Sequence, residues 1–215
     1  MPRSTLSIGE AATVATICFG LFIVWSIQAV LAGFPQATFS DASNVTTVVI
    51  EVVLAACALV YLRGRDFDIA SLYPRPDWRG AVAGTVLYAA VFLAGYVVTA
   101  PFAGEDGTAG TVAFSYSSMS MSTTILVAMV NGTFEEVFLL GVLARSLRGH
   151  GASIAIGASV LVRILYHLYQ GPVGVLWILA FGLAVTVFYM RTGRLWPVVF
   201  AHMLADIVPV LLLEA

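Results

Sequence analysis

The sequence predicts an all-α, polytopic integral membrane bundle of about seven transmembrane helices. Three observations carry that reading. Of 215 residues, 60% are hydrophobic and only 10% are charged, with a mean hydropathy of +0.96; a soluble domain carries roughly 25% charged residues. Apolar stretches of about 20 residues, the length that crosses a bilayer core, recur along the whole chain. The basic residues are all Arg, and nine of the ten fall in alternate loops.

Taken in order, the spans are expected at 11–33, 45–62, 80–103, 122–144, 152–169, 172–190 and 196–213. The first apolar run is longer than the core of a cleaved signal peptide and reads as a retained span. Turn and charge signals separate the spans, among them "GFPQATFSDASN", "RGRDFDIASLYPRPDWRG", "RSLRGHG" and "RTGRLWP". Arg3 precedes span one, and Arg63, Arg65, Arg75 and Arg79 lie between spans two and three. Arg145 and Arg148 follow span four, and Arg191 and Arg194 follow span six, whereas the intervening loops hold Asp41, Glu105 and Asp106. The positive-inside rule then predicts a multi-pass cell-membrane protein with a cytoplasmic N-terminus. Cys18 and Cys57 sit in apolar runs and read as small buried hydrophobes. No basic stretch interleaved with aromatics points to nucleic acid.

Within the spans lie seven ionisable residues: Glu51, Glu135, Glu136, Arg163, His167, His202 and Asp206. Each costs about 3 kcal/mol at the centre of a membrane helix, so a cluster of them calls for a function. All except Glu51 belong to spans four, five and seven. Arg163 and His167 are four apart and share a helix face, as do His202 and Asp206. Glu135 and Glu136 are adjacent and diverge by about 100°, so one can face a shared site while the other needs its own partner. Two imidazoles and a carboxylate can hold a water for general-base attack. They can also bind Zn²⁺, in which case Glu135, His167 and His202 are the available ligands. Glu51 reads as a packing or cavity-lining group, and Tyr166, Tyr169 and Gln170 as neighbours of His167 nearer an interface belt. Gly141 and Gly182 read as close-packing positions. At 1.5 Å per residue from the Arg flanks, Glu135 and His202 count to about 10–15 Å deep and His167 to about 25 Å.

The stretches "EEVFLLGVL" (135–143), "RILYHLYQG" (163–171) and "LWPVVFAHMLAD" (195–206) resemble the CAAX protease and bacteriocin-processing (CPBP, or Abi) family of membrane proteases. That resemblance implies one membrane domain over 1–215, with variable N-terminal spans in 1–121 and a catalytic helical core in 122–213. It also implies an intramembrane endopeptidase that hydrolyses membrane-associated or lipidated CAAX-type proteins or peptides through a glutamate-activated water. Glu135 corresponds to the activating base, His167 and His202 to the family's histidines, Asp206 to the residue proposed to stabilise the oxyanion, and Glu136 to the second Glu. The family's usual Arg position is Leu140 here, and its usual Phe position is Arg163. Arg163 is therefore expected to pair with Glu136 in place of the missing Arg. The alternatives are a catalytically silent scaffold or bacteriocin-immunity protein, which the change at Leu140 favours, and a proton-coupled transporter. Metal dependence, Zn or none, stays open, and the expected partners are membrane lipid and a protein or peptide substrate.

Overall fold

The computed structural model describes residues 3–102, 112, 114–116 and 119–214; Glu105 and Asp106 of the expected acidic loop lie outside them. The described residues form seven long helices: α1 (Ile8–Leu31), α2 (Asp41–Arg63), α3 (Trp78–Thr99), α4 (Met121–Glu136), α5 (Ala152–His167), α6 (Gly171–Thr192) and α7 (Leu195–Glu214). Six runs are long and apolar enough to cross a membrane, because α5 and α6 form one run, Ala152–Thr192. A turn at Leu168–Gln170 and Gly171, with φ at 75°, folds that run back on itself. Ser159 then meets Thr186, and Arg163 lies against Gly182, as two antiparallel legs require. The chain is thus a multi-pass helical membrane bundle.

Polar residues at the helix starts do the capping that lipid cannot. Ser7 and Glu10 form a capping box on α1, Ser40 caps α2, Asp77 accepts from the Gly80 amide at α3, and Ser120 caps α4. Asp41 also accepts hydrogen bonds from the Ser120 amide (2.7 Å) and from Thr123 Oγ1, tying the starts of α2 and α4 together. The strands β1 (Ala37–Phe39) and β2 (Phe114–Tyr116) pair in parallel at the same Arg-poor end, a feature the apolar pattern did not announce.

α4 is the central helix and packs on α2 and α7; α3 lies against α6 and α7, and α5 against α1 and α6. Beyond Glu136 the helix widens into a π-helical segment, Val137–Ala144, every residue of which is buried. Close approaches occur where glycine removes the side chain. A Cβ on Gly84 would sit 2.6 Å from the Pro197 carbonyl, and one on Gly132 would sit 3.2 Å from the Met203 amide. Gly141 likewise abuts Leu72 and Leu195, as its expected packing role requires. The outer helices expose apolar side chains such as Val24, Val49, Val52, Phe92 and Leu93, which suit acyl chains rather than water. Cys57 lies on this exposed surface, in contrast to the burial expected for it, while Cys18 is buried.

Candidate functional site

All seven ionisable residues named inside the spans come together around one guanidinium or one cavity. Arg163, 1% exposed, is the hub. Its Nη2 donates to both oxygens of Glu136 (2.8 and 2.9 Å), and its Nη1 donates to Glu135 Oε2 (3.1 Å). The pairing with Glu136 expected from the change at Leu140 is present. The reach to Glu135 was not expected, because adjacent helical side chains diverge; one guanidinium spans them with its two terminal nitrogens. Gly182 makes room for this, since a Cβ there would lie 3.1 Å from Arg163 Cδ, and the Phe181 ring covers the guanidinium carbon at 5.2 Å. Leu140 is sealed in the apolar core below.

Glu135 is held at both oxygens. Oε2 also accepts from the Tyr166 hydroxyl, and Oε1 accepts from Asn131 Nδ2 at 3.2 Å. Tyr166 is buried and stacks on Phe19 with ring centroids 5.0 Å apart, so it belongs to the site and not to an interface belt. The sequence did carry a signal for Asn131: it stands one turn before Glu135 in "NGTFEE" and so shares its face.

His202 Nδ1 lies 2.7 Å from Glu136 Oε1, and a carboxylate only accepts, so the Nδ1–H donates. The ring therefore turns Nε2 toward Glu135 Oε2 and Asp206 Oδ1, each 3.8 Å away. Those gaps exceed a direct hydrogen bond. His167 Nδ1 donates to the Arg163 carbonyl at 2.9 Å, which leaves Nε2 without a hydrogen bond among the described residues. Helix α5 starts at Ala152, so the depth count stands: Arg163 is level with the carboxylates, and His167 sits one turn farther toward the Arg-poor end.

A cavity of about 500 Å³ unites the parts. Glu135, His202 and Asp206 line it together with His167, Tyr166, Asn131 and Glu51. Ala37, Thr38, Phe39 and Phe114 of the two short strands at the Arg-poor end also line it. Glu51, set aside in the sequence reading, accepts from Asn131 Nδ2 at 2.6 Å and is 2% exposed. Asn131 thus hydrogen-bonds to both Glu51 and Glu135.

Among the described residues, the acidic and imidazole groups close enough to share a cation are Glu135, Glu136 and His202. His167 is not in that group, so the set expected for Zn²⁺ does not converge. The converging set does not fit a divalent metal either. Glu136 is taken up by Arg163 and His202, Glu135 Oε2 accepts from Arg163 and Tyr166, and the guanidinium would repel a second cation.

Residues 117–208 match the family described as type II CAAX prenyl endopeptidase Rce1-like. The matched stretch contains all six residues singled out from the motifs: Glu135, Glu136, Arg163, His167, His202 and Asp206. The recognition of the CPBP/CAAX-protease family made from those motifs stands on this part of the chain. No curated protein and no solved structure gave a match.

Proposed function

We propose, from the match of residues 117–208 to the CAAX-protease family, that this chain is an intramembrane endopeptidase using a water activated by Glu135. The observation that carries the mechanism is that His202 Nε2, on the cavity lining, lies 3.8 Å from both Glu135 Oε2 and Asp206 Oδ1. A water seated there gives a proton to Glu135 as its oxygen attacks the substrate carbonyl carbon. The C–O bond forms, and the carbonyl becomes an oxyanion, to which Asp206 in its neutral form and the Tyr166 hydroxyl would donate. Collapse breaks the C–N bond, and the proton returns from Glu135 to the leaving amine. Glu136 and Arg163 act behind the site: Glu136 fixes the tautomer of His202, and Arg163 holds both carboxylates in place. His167 presents Nε2 from a turn nearer the entrance, where the substrate backbone would pass.

The substrates of this reading are membrane-associated or lipidated proteins or peptides of the CAAX type. The Arg-rich end faces the cytoplasm, so the N-terminus is cytoplasmic and the cavity opens toward the opposite face. The silent-scaffold alternative draws on one observation: Glu135 Oε2 already accepts from Arg163 and Tyr166 before any water arrives. The transporter alternative loses ground to the sealed apolar segment Val137–Ala144 on the Arg-rich side of the carboxylates.

Newly formed protein N-termini in membranes expressing wild type or Glu135→Ala at matched levels decide between them. Termini that appear with wild type and vanish with the variant support the protease. Identical profiles, with the variant still supporting the phenotype lost on deletion, refute it in favour of the scaffold.

A further inference from the structure

Two cavity-lining residues each carry a buried polar side-chain atom with no hydrogen-bond partner among the described residues, Glu51 Oε2 and Asn44 Nδ2, both sealed just behind the cavity surface. Both residues belong to α2, both are more than nine-tenths buried, and seven positions put them on one face two turns apart. The proposed mechanism uses neither.

We propose that the α2 wall of the cavity, centred on Glu51, is a substrate subsite for a positively charged side chain, Lys or Arg, carried within two residues of the scissile bond. This rests on the protease reading above and assigns that site a specificity.

The charge inventory carries the sign. Glu51, Glu135 and Asp206 line the cavity, and no Arg or Lys does so. Arg163 is spent on Glu135 and Glu136, and the whole chain contains no Lys. A carboxyl group buried in low dielectric needs a cation or donors, and the described residues supply only the Asn131 amide, to Oε1, and no cation. Geometry carries the distance. Asn131 Nδ2 lies 2.6 Å from Glu51 Oε1 and 3.2 Å from Glu135 Oε1, so the two carboxyl groups stand one amide nitrogen apart. A long basic side chain one or two extended residues from the attacked carbonyl, at about 3.3 Å per residue, reaches that far. Phe22 and Trp25 supply apolar walls for its methylene stem, with ring faces suited to a cation. Asn44, nearer the β1 end, can turn either its amide oxygen or its nitrogen to the cavity and so meets the substrate backbone farther out. A backbone N–H on Glu51 would satisfy the same oxygen but would not distinguish one substrate side chain from another.

The test uses the full chain in lipid nanodiscs and two dye-labelled farnesyl-cysteine peptides, identical except for Lys or norleucine next to the scissile bond. Binding is read by fluorescence anisotropy in a Glu135→Gln background, which keeps the peptides intact. The expected result is about tenfold tighter binding of the Lys peptide, a preference that disappears in Glu135→Gln/Glu51→Gln and survives in Glu135→Gln/Glu51→Asp. Equal binding of the two peptides to Glu135→Gln overturns the proposal without any substitution at Glu51, as does a Lys preference that survives Glu51→Gln. Turnover by the wild-type protein separates the two readings. A Lys preference in binding with neither peptide cleaved keeps the subsite and removes the protease, whereas cleavage without preference does the reverse.

Discussion

Replacing Arg163 with Leu tests the centre of the site. The guanidinium is 1% exposed and makes three charge-assisted hydrogen bonds, two to Glu136 and one to Glu135. Leucine fills part of the volume and neutralises nothing, so two adjacent carboxylates are left buried without a countercharge. Breaking a buried pair in this way costs about 3–5 kcal/mol. At about 2–4 °C per kcal/mol for a chain of this size, melting of the purified protein should fall by roughly 10 °C. Adding Glu136→Gln to Arg163→Leu should recover about half of that loss, because the amide oxygen can still accept from His202 Nδ1 while one orphaned charge is gone. Leu140→Arg in the same background should also recover part of it, by restoring a cation one turn beyond Glu136. The assay is thermal melting in detergent, read by loss of the monodisperse peak in size-exclusion chromatography. If Arg163→Leu melts within 2 °C of wild type and keeps its proteolytic activity, Arg163 is not the hub described above. If the second substitutions only add to the damage, stranded charge is not the cause.

Other expectations follow from single contacts. Tyr166→Phe removes one donor from Glu135 Oε2 while keeping the ring that stacks on Phe19; proteolytic turnover should fall about tenfold or more with little change in melting. Gly182→Val crowds Arg163 Cδ, already 3.1 Å from a simple Cβ, and should lower melting and activity together, whereas Gly149→Ala, in open space, should change neither. Asp77 lies outside the spans, and its carboxyl is held below its usual range by the Gly80 amide first and by Arg194 second. A depressed value means the contribution to folding is present above the ordinary carboxylate range and is lost as pH falls through the lowered one. Melting of Asp77→Asn should therefore trail wild type at pH 7 and converge with it in strong acid. Impermeant maleimide added to intact cells should label a cysteine at Thr38 and spare one at Arg75, with labelling of Arg75→Cys refuting the cytoplasmic assignment of the Arg-rich end.

The fold was legible because lipid imposes a simple code, in which length, hydropathy and Arg placement suffice for helices and their order. The site was partly legible for a related reason. An ionisable group in a span is costly enough to stand out, and i,i+4 spacing told which of them share a face. Convergence across helices was not legible. Periodicity places Arg163 on a face of α5 but does not say that one guanidinium reaches both Glu135 and Glu136. Nor could it show that Tyr166 turns inward, although the depth count did place His167 beyond the carboxylates. Asn131 was overlooked, and Glu51, read as a packing or cavity-lining group, was left out of the site, because a neutral amide and a lone acid in an otherwise apolar helix each have an undemanding packing explanation. Their meaning lies in the contact between them.

That contact also bears on how the chain divides. The motifs lie beyond residue 121, and the family match begins at residue 117, which suggests a self-sufficient catalytic half. The cavity does not respect that boundary. α1 supplies Phe19 against Tyr166 and the Ser26 hydroxyl that accepts from the Tyr169 amide at 2.9 Å, and α2 supplies Asn44 and Glu51. In the proposed mechanism the C-terminal helices hold the reacting groups, while the N-terminal ones form the wall that a bound substrate would touch. Helices outside a family's motifs are free to vary, and a wall made from such helices is where members sharing one chemistry can come to differ in substrate. On that argument Glu51 sits where specificity is expected to reside, one amide away from the residue expected to do the chemistry.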